Sequence, residues 1–319
     1  MRAVINSQPG VLELATRPDP VAAAGQILVQ IRAAGVNRAD LLQRAGKYAA
    51  PAGWPADIPG MEYAGEVIAT GSGVTRWRAG DRVMGLAGGG AQAEQLVVDE
   101  REAIAIPERL AFDAAAAIPE AFLTAWDALV LRGRATAGDR VLFHAIGSGV
   151  GTAAAQLGRM LQLELIGTSR TAAKLERSRA LGMTHGVLTT DADWPAQVGG
   201  PVAIVIDTLG AAALAQNLTL LARRGRLVIL GTMTGGMAHD FDLSTVLRQR
   251  LEIIGTAMRG RPIEERDALV SRFSAEILPA LARGALQPVV DRVLPFEEAA
   301  RAYDLLQANE TFGKVVLRW

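Results

Sequence analysis

The chain has 319 residues, half of them hydrophobic and 21% charged, which is enough for about two domains with a sizeable core. Basic and acidic residues number 33 each, and this neutral balance argues against a dedicated nucleic-acid-binding protein. Without cysteine, the chain can supply no disulfide and no thiolate for a zinc site or an iron–sulfur cluster. Because the N-terminus lacks a signal-peptide pattern and the longest uncharged stretch, Val141 to Gly158, is too polar to span a membrane, we expect a cytoplasmic protein without a membrane partner.

The first hundred residues are rich in short β-strand patterns separated by Pro, Gly and Asp. The predicted strands are Ala3–Asn6, Ile27–Ala34, Tyr63–Thr70, Arg82–Gly85 and Gln95–Val98. Among them, Asp40 to Ala45 is predicted to form a short helix, with Asp40 as its N-cap and Gly46 just past its end. This part of the chain therefore predicts a β-rich domain.

The pattern changes near residue 119, where apolar strands begin to alternate with helices. The predicted strands are Arg140–Ile146, Glu164–Thr168, Gly186–Leu188, Val202–Asp207, Arg226–Leu230 and Leu251–Gly255. The predicted helices between them are Val150–Leu161, Thr171–Leu181 and Ala211–Ala222. Strands that are apolar throughout and alternate with helices are typical of a parallel sheet covered on both faces.

The C-terminal part returns to the β-rich style after one long amphipathic helix over Glu264–Arg283, with strands at Val289–Val293 and Lys314–Leu317. We therefore predict an α/β fold in which a doubly wound parallel-sheet domain, residues 119–265, is inserted into a β-rich domain made of residues 1–118 and 266–319.

A glycine-rich turn follows the first strand of the inserted domain. It reads Gly147-Ser148-Gly149-Val150-Gly151, although the third glycine of a strict G-x-G-x-x-G pattern is replaced by Thr152. Small residues there let the backbone approach a pyrophosphate, which then rests on the N-terminus of the next helix. Because a strand precedes the turn and a helix follows it, the context predicts a dinucleotide site.

The end of the second strand indicates which dinucleotide is bound. The segment reads Thr168-Ser169-Arg170, Lys174 follows one helical turn later, and no acidic residue appears before Glu176. An NAD site would place a carboxylate here for the ribose 2′-hydroxyl, whereas a hydroxyl and two cations suit a 2′-phosphate. The sequence therefore predicts NADPH rather than NADH.

The whole chain resembles the medium-chain dehydrogenase/reductases, and specifically the zinc-free NADPH:quinone oxidoreductases related to zeta-crystallin. The motifs that carry the resemblance are Ala34-Gly35-Val36-Asn37-Arg38-Ala39-Asp40, Arg44-Ala45-Gly46-Lys47-Tyr48, Pro59-Gly60-Met61-Glu62-Tyr63-Ala64-Gly65, Gly80-Asp81-Arg82-Val83, Leu123-Thr124-Ala125, Ser148-Gly149-Val150-Gly151, Ile277-Leu278-Pro279 and Asn309-Glu310-Thr311-Phe312-Gly313-Lys314. The resemblance implies a Rossmann domain inserted in a GroES-like domain.

The resemblance also implies roles for individual residues around the cofactor. Thr124 and Asn37 would lie near the nicotinamide, and Asn309 would close over the cofactor. The remaining implied contacts are Ser148, Gly149 and Val150 with the pyrophosphate, Ser169, Arg170 and Lys174 with the 2′-phosphate, and Gly231, Thr232 and Met258 on the far side of the cleft. Thr189 stands where the family has a tyrosine near the adenosine.

We expect no metal ion. Zinc-containing relatives have a histidine at the position of Met61, and the three histidines of this chain, His144, His185 and His239, are far apart in sequence. His144 lies on an apolar strand and is predicted to be a buried, hydrogen-bonded histidine rather than a base. Without a metal to polarise an alcohol, an electron-poor acceptor such as a quinone is the favoured substrate.

The candidate catalytic residues are Asn37 and Tyr48, which could donate hydrogen bonds to the acceptor oxygen. Local loop bonding for Asn37 and a core position for Tyr48 remain open as alternatives. Tyr48 and Trp54 are predicted to form the wall of a flat substrate slot. Asp40 is interpreted as a helix cap, and Glu62 as a structural ion-pair or backbone partner.

Three hypotheses of function remain in competition. The first is an NADPH-dependent quinone reductase, the second an enone or enoyl-thioester reductase, and the third a non-catalytic NADPH-binding sensor or RNA-associated protein. The lack of a basic run interleaved with aromatic residues argues against RNA, so no nucleic-acid partner is expected. A homodimer is expected through the apolar edge strand Leu251–Gly255.

Overall fold

The computed structural model describes residues 1–239 and 241–319. The chain divides into two compact units. Unit 1 comprises Met1–Leu123 and Met258–Trp319, and unit 2 comprises Thr124–Ala257. The inserted unit thus begins shortly after the predicted boundary at residue 119 and ends before the predicted boundary at residue 265.

The elements are named in chain order. The strands are β1 (Arg2–Gln8), β2 (Val11–Thr16), β3 (Gln26–Val36), β4 (Glu62–Thr70), β5 (Arg82–Leu86), β6 (Gln95–Asp99), β7 (Ala103–Ala105), β8 (Arg140–Phe143), β9 (Glu164–Ser169), β10 (His185–Leu188), β11 (Val202–Asp207), β12 (Leu221–Ile229), β13 (Glu252–Gly255), β14 (Val290–Pro295) and β15 (Lys314–Arg318). The α-helices are α1 (Arg38–Arg44), α2 (Phe112–Ala115), α3 (Pro119–Trp126), α4 (Gly149–Met160), α5 (Ala172–Leu181), α6 (Leu214–Leu220), α7 (Leu243–Gln249), α8 (Ile263–Glu276), α9 (Leu278–Ala282) and α10 (Ala299–Ala308). Shorter helical turns are Glu100–Glu102, Asp127–Arg132, Ala196–Val198, Ala211–Ala213 and Phe296–Glu298.

Unit 2 is built on a six-stranded sheet in the order β10-β9-β8-β11-β12-β13, and each neighbouring pair is parallel. Its strands bury apolar side chains such as Leu142, Ile166, Val205 and Leu227. This strand order is that of doubly wound nucleotide-binding folds, so the predicted fold class is confirmed. The chain reverses its direction of travel across the sheet between β8 and β11, and ligands of such folds bind beyond the carboxyl ends of the strands at this point.

Unit 1 contains a seven-stranded sheet in the order β14-β15-β3-β4-β5-β7, with β6 also paired to β3. Its neighbouring strands are antiparallel except for β14 and β15. In the first half of β3 the inward side chains Ile27, Val29 and Ile31 are fully buried and alternate with less buried residues, as expected where one face covers a core. A separate hairpin joins β1 and β2.

In unit 1, two sequence predictions of helix ends are wrong. Helix α1 begins at Arg38 with Asn37 as its N-cap, so Asp40 is the third helical residue and not the cap. The long helix predicted over Glu264–Arg283 is instead divided into α8 and α9 at Ile277. Pro279 explains the division, because proline has no N–H to continue the helical ladder and restricts the residue before it.

The ends of several elements in unit 2 also differ from the prediction. Strand β8 ends at Phe143 rather than at residue 146, because the glycine-rich turn already begins at His144. The helix predicted over Ala211–Ala222 ends at Leu220, and β12 begins at Leu221, earlier than predicted. In unit 1, the sequence analysis does not predict helix α10, because its short amphipathic stretch lies between two strand-like segments.

One helical stretch, Phe112–Arg132, is long and apolar enough to cross a membrane by length and composition alone, with a mean hydropathy of 1.4. Within the window tested, 78% is buried inside the protein. Core helices of globular proteins have the same composition, so this stretch is weak evidence for a membrane span.

Candidate active site

The glycine-rich turn of unit 2 leads directly into helix α4. Ser148 is the N-cap, and its hydroxyl oxygen accepts a hydrogen bond from the Gly151 N–H at 3.0 Å. Gly149 and Val150 form the partly exposed first turn, where backbone N–H groups point out of the helix. A Cβ at Gly151 would come within 2.4 Å of the Ile146 carbonyl oxygen, so only glycine permits this tight turn. This helix N-terminus is where the sequence predicts a pyrophosphate, and binding there stays a prediction.

The predicted 2′-phosphate residues lie at the adjoining strand ends. Ser169 ends β9 and is 9% exposed, and its hydroxyl accepts from the Thr171 N–H at 3.0 Å. Arg170 is exposed, and the aliphatic part of Lys174 packs so closely on Gly147 that a Cβ there would meet Lys174 Cδ at 2.9 Å. Two cations and a hydroxyl therefore flank the glycine-rich turn.

Thr189, the residue at the family's tyrosine position, follows β10. Its N–H donates to the Ser169 carbonyl at 2.9 Å, which places it beside the predicted 2′-phosphate residues. A threonine offers a small polar surface at this point and no ring for stacking.

The loops after β11 and β12 lie against each other. Gly210 has φ of +86°, and a Cβ on it would come within 2.8 Å of Thr232 Cα. A Cβ on Gly231 would meet the Thr208 carbonyl oxygen at 3.3 Å. Gly231 and Thr232 thus lie at the carboxyl edge of the sheet, and their place on the far side of a cofactor cleft stays a prediction.

His144 is fully buried between two neutral partners in unit 2. Its Nδ1 lies 2.9 Å from Thr168 Oγ1, and its Nε2 lies 2.7 Å from Asn217 Oδ1. Because the amide oxygen is an acceptor, Nε2 carries the proton and Nδ1 accepts from the threonine hydroxyl. Burial lowers the pKa of His144, so the ring is neutral. The prediction of a satisfied buried histidine is confirmed.

Unit 1 has a buried charged cluster around Asn37. Glu62 is completely buried, and its Oε1 accepts from Lys314 Nζ at 2.6 Å and from Asn37 Nδ2 at 2.9 Å. Its Oε2 accepts from the Glu120 N–H at 2.8 Å. Lys314, 5% exposed, also donates to the Val36 carbonyl at 3.0 Å and to Asn37 Oδ1. Glu62 thus has the structural ion-pair role that was predicted.

This cluster fixes the orientation of the Asn37 amide. Its oxygen faces an ammonium group and its nitrogen faces a carboxylate. The opposite rotamer would place NH₂ against NH₃⁺ and a carbonyl against a carboxylate, which is unfavourable at both ends. After these two bonds, the side chain retains one N–H of Nδ2 as a further donor. The amide thus keeps one donor, and donation from Asn37 to a substrate oxygen stays a prediction.

The Asp40 side chain stabilises the backbone at Asn37. Its carboxylate accepts from the Asn37 N–H at 2.8 Å and from the Gly60 N–H at 3.2 Å, and it is completely buried. Burial raises the pKa of Asp40 to about 6, although the two N–H donors and Lys314 oppose this shift. Asp40 is thus the N3 residue of a capping box with Asn37, and not the N-cap that the sequence predicted.

Tyr48 has a neighbour that the sequence did not suggest, Arg259. The guanidinium carbon of Arg259 lies 4.9 Å from the centre of the Tyr48 ring, and Arg259 is only 5% exposed. Its nitrogens donate to the Gly88 carbonyl at 2.6 Å, to the Gln43 side-chain oxygen at 2.6 Å and to the Tyr48 carbonyl at 3.3 Å. Tyr48 is half-buried, and burial raises the pKa of its hydroxyl.

Trp54 lies against Gly88, where a Cβ would meet its indole Nε1 at 2.5 Å. It borders a cavity of about 430 Å³ within unit 1, whose lining includes Ile58, Leu96 and Ile263. Tyr48 is not among the residues that line this cavity. Trp54 therefore borders this cavity without Tyr48, and a substrate slot walled by both rings stays a prediction.

The other predicted site residues are distributed over both units. Thr124, in α3, is 8% exposed, and Met258 is 7% exposed. Asn309 ends α10 with φ of +60°, and its side-chain oxygen accepts from the Arg38 guanidinium. Thr124 belongs to unit 2 and the other two belong to unit 1. The predicted roles of Thr124 near the nicotinamide, of Met258 on the far side of the cleft and of Asn309 over the cofactor stay predictions.

Lys314 and Arg259 are the functional candidates that the sequence reasoning missed. A signal existed for Lys314, since it is one of only three lysines and opens the apolar strand β15. No comparable signal marks Arg259 among the 30 arginines of the chain.

Met61, which stands where zinc-containing relatives have a histidine ligand, is 3% exposed. Residues 1–239 and 241–319 hold no group of three or more His, Cys, Asp or Glu suited to a metal ion.

Comparisons with known proteins agree with this geometry. Residues 23–108 match the alcohol dehydrogenase GroES-like domain, and residues 149–275 match the zinc-binding dehydrogenase domain. The human synaptic vesicle membrane protein VAT-1 homolog is 34% identical over 96% of this chain and 82% of its own length. A parallel sheet with a glycine-rich turn, inserted in a GroES-like domain, defines a nicotinamide-dependent oxidoreductase class.

Two of the similar solved structures align with this chain over the full length of both proteins. The quinone oxidoreductase of Thermus thermophilus, whose complex with NADPH is also known, is 32% identical with a TM-score of 0.86. An NAD-dependent alcohol dehydrogenase is likewise 32% identical, with a TM-score of 0.88. The chain belongs to the medium-chain dehydrogenase/reductase family, among its quinone oxidoreductase-type members.

Proposed function

We propose that this protein reduces quinones with NADPH, by hydride transfer and without a metal ion. The observation that carries the proposal is the clamped amide of Asn37, whose oxygen is held by Lys314 while Nδ2 keeps one N–H for a ligand. A quinone oxygen becomes negatively charged as hydride arrives, and a fixed donor stabilises that charge without reorganisation. An alcohol substrate would instead require a base or a metal to take its proton.

The chain's own residues have separate tasks in this reaction. NADPH, when bound, supplies a hydride from C4 of its nicotinamide, and a proton from solvent completes the hydroquinone. Asn37 donates to the acceptor oxygen, and Glu62 and Lys314 hold its amide. The raised pKa of Tyr48 keeps its hydroxyl protonated at neutral pH, so it can serve as a second donor.

The proposed preference for NADPH depends on the residues at the end of β9. Arg170 is exposed beyond Ser169, and Lys174 packs on the glycine-rich turn. A guanidinium and an ammonium favour a 2′-phosphate, and neither offers an acceptor to a 2′-hydroxyl. One of the similar structures is an NAD-dependent alcohol dehydrogenase, so the preference of this protein for NADPH over NADH must be measured.

The first experiment measures oxidation of NADPH and of NADH with a panel of ortho- and para-quinones, simple enones and a crotonyl thioester. We expect quinone-dependent turnover with NADPH preferred. Turnover confined to enones or the thioester would replace the proposal with an enoyl-reductase activity. Tight NADPH binding without turnover of any acceptor would favour a sensor, and an RNA shift assay would then follow.

Variants connect the activity to the proposed residues. Asn37→Ala is expected to lower kcat for quinones about a hundredfold, as for the loss of one oxyanion donor, with the KM for NADPH little changed. Asn6→Ala, which replaces an asparagine in β1 outside the site, is the matched control.

Replacing both Arg170 and Lys174 by Gln is expected to lower kcat/KM for NADPH about a hundredfold and to leave kcat/KM for NADH within a few-fold of the wild-type value. A smaller loss with NADPH than with NADH would contradict the 2′-phosphate assignment.

We also propose that the active form is a homodimer joined through β13. This strand ends the six-stranded sheet, and Ile253 on it is 40% exposed. Leu243 and Leu247 of α7 are 70% and 78% exposed, so unit 2 has further apolar side chains on its surface. A monomer mass independent of concentration in sedimentation equilibrium would refute this.

A further inference from the structure

Strand β12 departs from regular pairing with β11 at a bulge, the β12 turn, which carries adjacent arginines. Val202 of β11 pairs with Leu221, and Ile204 pairs with Arg226, so β12 inserts extra residues opposite a short stretch of β11. The inserted residues include Arg223 and Arg224, which are exposed. The β12 turn lies at the amino end of β12, the opposite end from the glycine-rich turn and the predicted cofactor residues. The sheet itself does not require this insertion.

Two arginines near this turn have a backbone conformation that favours glycine. Arg224 has φ of +65°, and Arg134 has φ of +50°. An L-residue in the left-handed region is disfavoured by contact of its Cβ with the backbone, and glycine avoids this. An observed strained residue of this kind is a reason to look for a functional side chain.

These side chains surround one recess of about 450 Å³ in unit 2. Its lining includes four arginines and one carboxylate, namely Arg134, Arg223, Arg224, Arg226 and Glu252. The chain as a whole is neutral, so this local excess of three positive charges is a departure from its surface average. A recess with several guanidinium groups is suited to a ligand with several negatively charged oxygens.

The four arginines differ in the ion pairs and hydrogen bonds that they already make within the protein. Arg134 pairs with Glu252, and Arg226 donates from Nη1 to the carbonyls of Gly133 and Arg134. Within residues 1–239 and 241–319, Arg226 Nε is buried without a hydrogen-bond partner, and the guanidinium groups of Arg223 and Arg224 have no ion pair. Two held guanidinium groups and two uncommitted ones therefore face the same recess.

We propose that this recess is a binding site for a phosphate group, distinct from the cofactor site and carried by a small phosphorylated molecule. Guanidinium groups bind phosphate oxygens in pairs of parallel hydrogen bonds, which a lysine cannot do. The recess is a single concave site rather than an extended stripe, which favours a small ligand over a nucleic-acid strand. Arg223 and Arg224 provide the binding forks, and Arg226, held by its carbonyl contacts, provides a fixed charge beneath them.

The test is calorimetric titration of inorganic pyrophosphate into the full chain. Since pyrophosphate could also enter the cofactor site, the protein used has Arg170 and Lys174 replaced by Gln, with Arg223 and Arg224 intact. We expect saturable binding that Arg223→Gln and Arg224→Gly each weaken at least about tenfold. Arg179→Gln, on α5 and paired with Glu176, removes one positive charge elsewhere in unit 2 and is expected to leave the affinity unchanged.

Arg224→Gly separates loss of the site from loss of the fold. Because glycine relieves the left-handed conformation, this variant is expected to have an equal or higher Tm while it loses affinity. No binding heat, or equal affinity in all variants, would overturn the proposal. Binding to vesicles of phosphatidylcholine with phosphatidic acid, but not to pyrophosphate, would assign the phosphate to a lipid headgroup and overturn the small-molecule source. An RNA shift lost in the same variants, without pyrophosphate binding, would overturn it in favour of RNA.

Discussion

Each unit contains a buried polar network, and the two networks differ in whether their hydrogen-bonded members are charged. Unit 1 buries a charged cluster, in which Glu62, Lys314 and Asn37 satisfy one another. In unit 2 a neutral chain of hydrogen bonds joins His144 to Thr168 and Asn217, and the buried Asp207 carboxyl interacts electrostatically with the His144 ring. The charged cluster determines which atoms of an amide are free for a ligand, whereas the neutral chain ties strand and helix together beneath the turn. Since charge without a partner is far more costly to bury than a neutral group, the two regions should respond very differently to mutation.

The largest effect is expected from Lys314→Met. The substitution keeps the length of the side chain but leaves the Glu62 carboxylate buried without its ammonium, which costs about 3–5 kcal/mol in the free energy of unfolding. Urea denaturation measures the loss. The double variant with Glu62→Gln should recover part of it, because no unpaired charge remains. Arg272→Gln, which breaks an exposed pair with Glu276, should cost no more than about 1 kcal/mol.

The next effect is the pH dependence due to Asp40. Its pKa of about 6 in the folded chain lies above the ordinary value of 3.8, so the folded state binds the proton more tightly than the unfolded state does. The stability from this group is therefore complete below about pH 4 and is lost as the pH rises through 6, by about 3 kcal/mol.

Asp40→Asn should remove this slope. Unfolding free energies of the wild type and the variant, measured between pH 4 and pH 7, should converge or cross as the carboxylate ionises in the wild type. The exposed Asp304→Asn serves as the control and should keep the wild-type slope. A parallel pH dependence in wild type and Asp40→Asn would show that the buried carboxylate is not the titrating group.

The smallest effect is expected from His144→Phe in the neutral network. The ring size is kept, but Thr168 and Asn217 lose their partner, at a cost of about 1–3 kcal/mol at pH 7.5. Because burial lowers the pKa of His144, the wild type loses stability as the pH falls below 6.5, when only the unfolded chain binds the proton.

The difference between wild type and His144→Phe should therefore narrow towards pH 5.5. The exposed His185→Gln is the control for general effects of losing a histidine. If His144→Phe proved as destabilising as Lys314→Met, the contrast between charged and neutral burial would not describe this protein.

Local pattern was sufficient for the parts of the molecule in which neighbouring residues decide the structure. The alternation of apolar strands with helices predicted the parallel sheet, and the small residues from Gly147 to Gly151 predicted the turn before α4. The apolar strand around His144 predicted a buried histidine. In contrast, the ends of α1 and the division of α8 from α9 were misjudged, because capping and a proline decide them within a turn or less.

The sequence by itself determined the fold class, the glycine-rich turn and the cations after β9, because these follow from composition and spacing over short stretches. Only the tertiary structure brought Lys314 of β15 to Glu62 of β4 and Asn37, and Arg259 to the ring of Tyr48. It alone gathered the arginines of the β12 turn around one recess with Arg134. Contacts between residues so far apart in the chain depend on strand register and packing, and no periodicity within one segment records them.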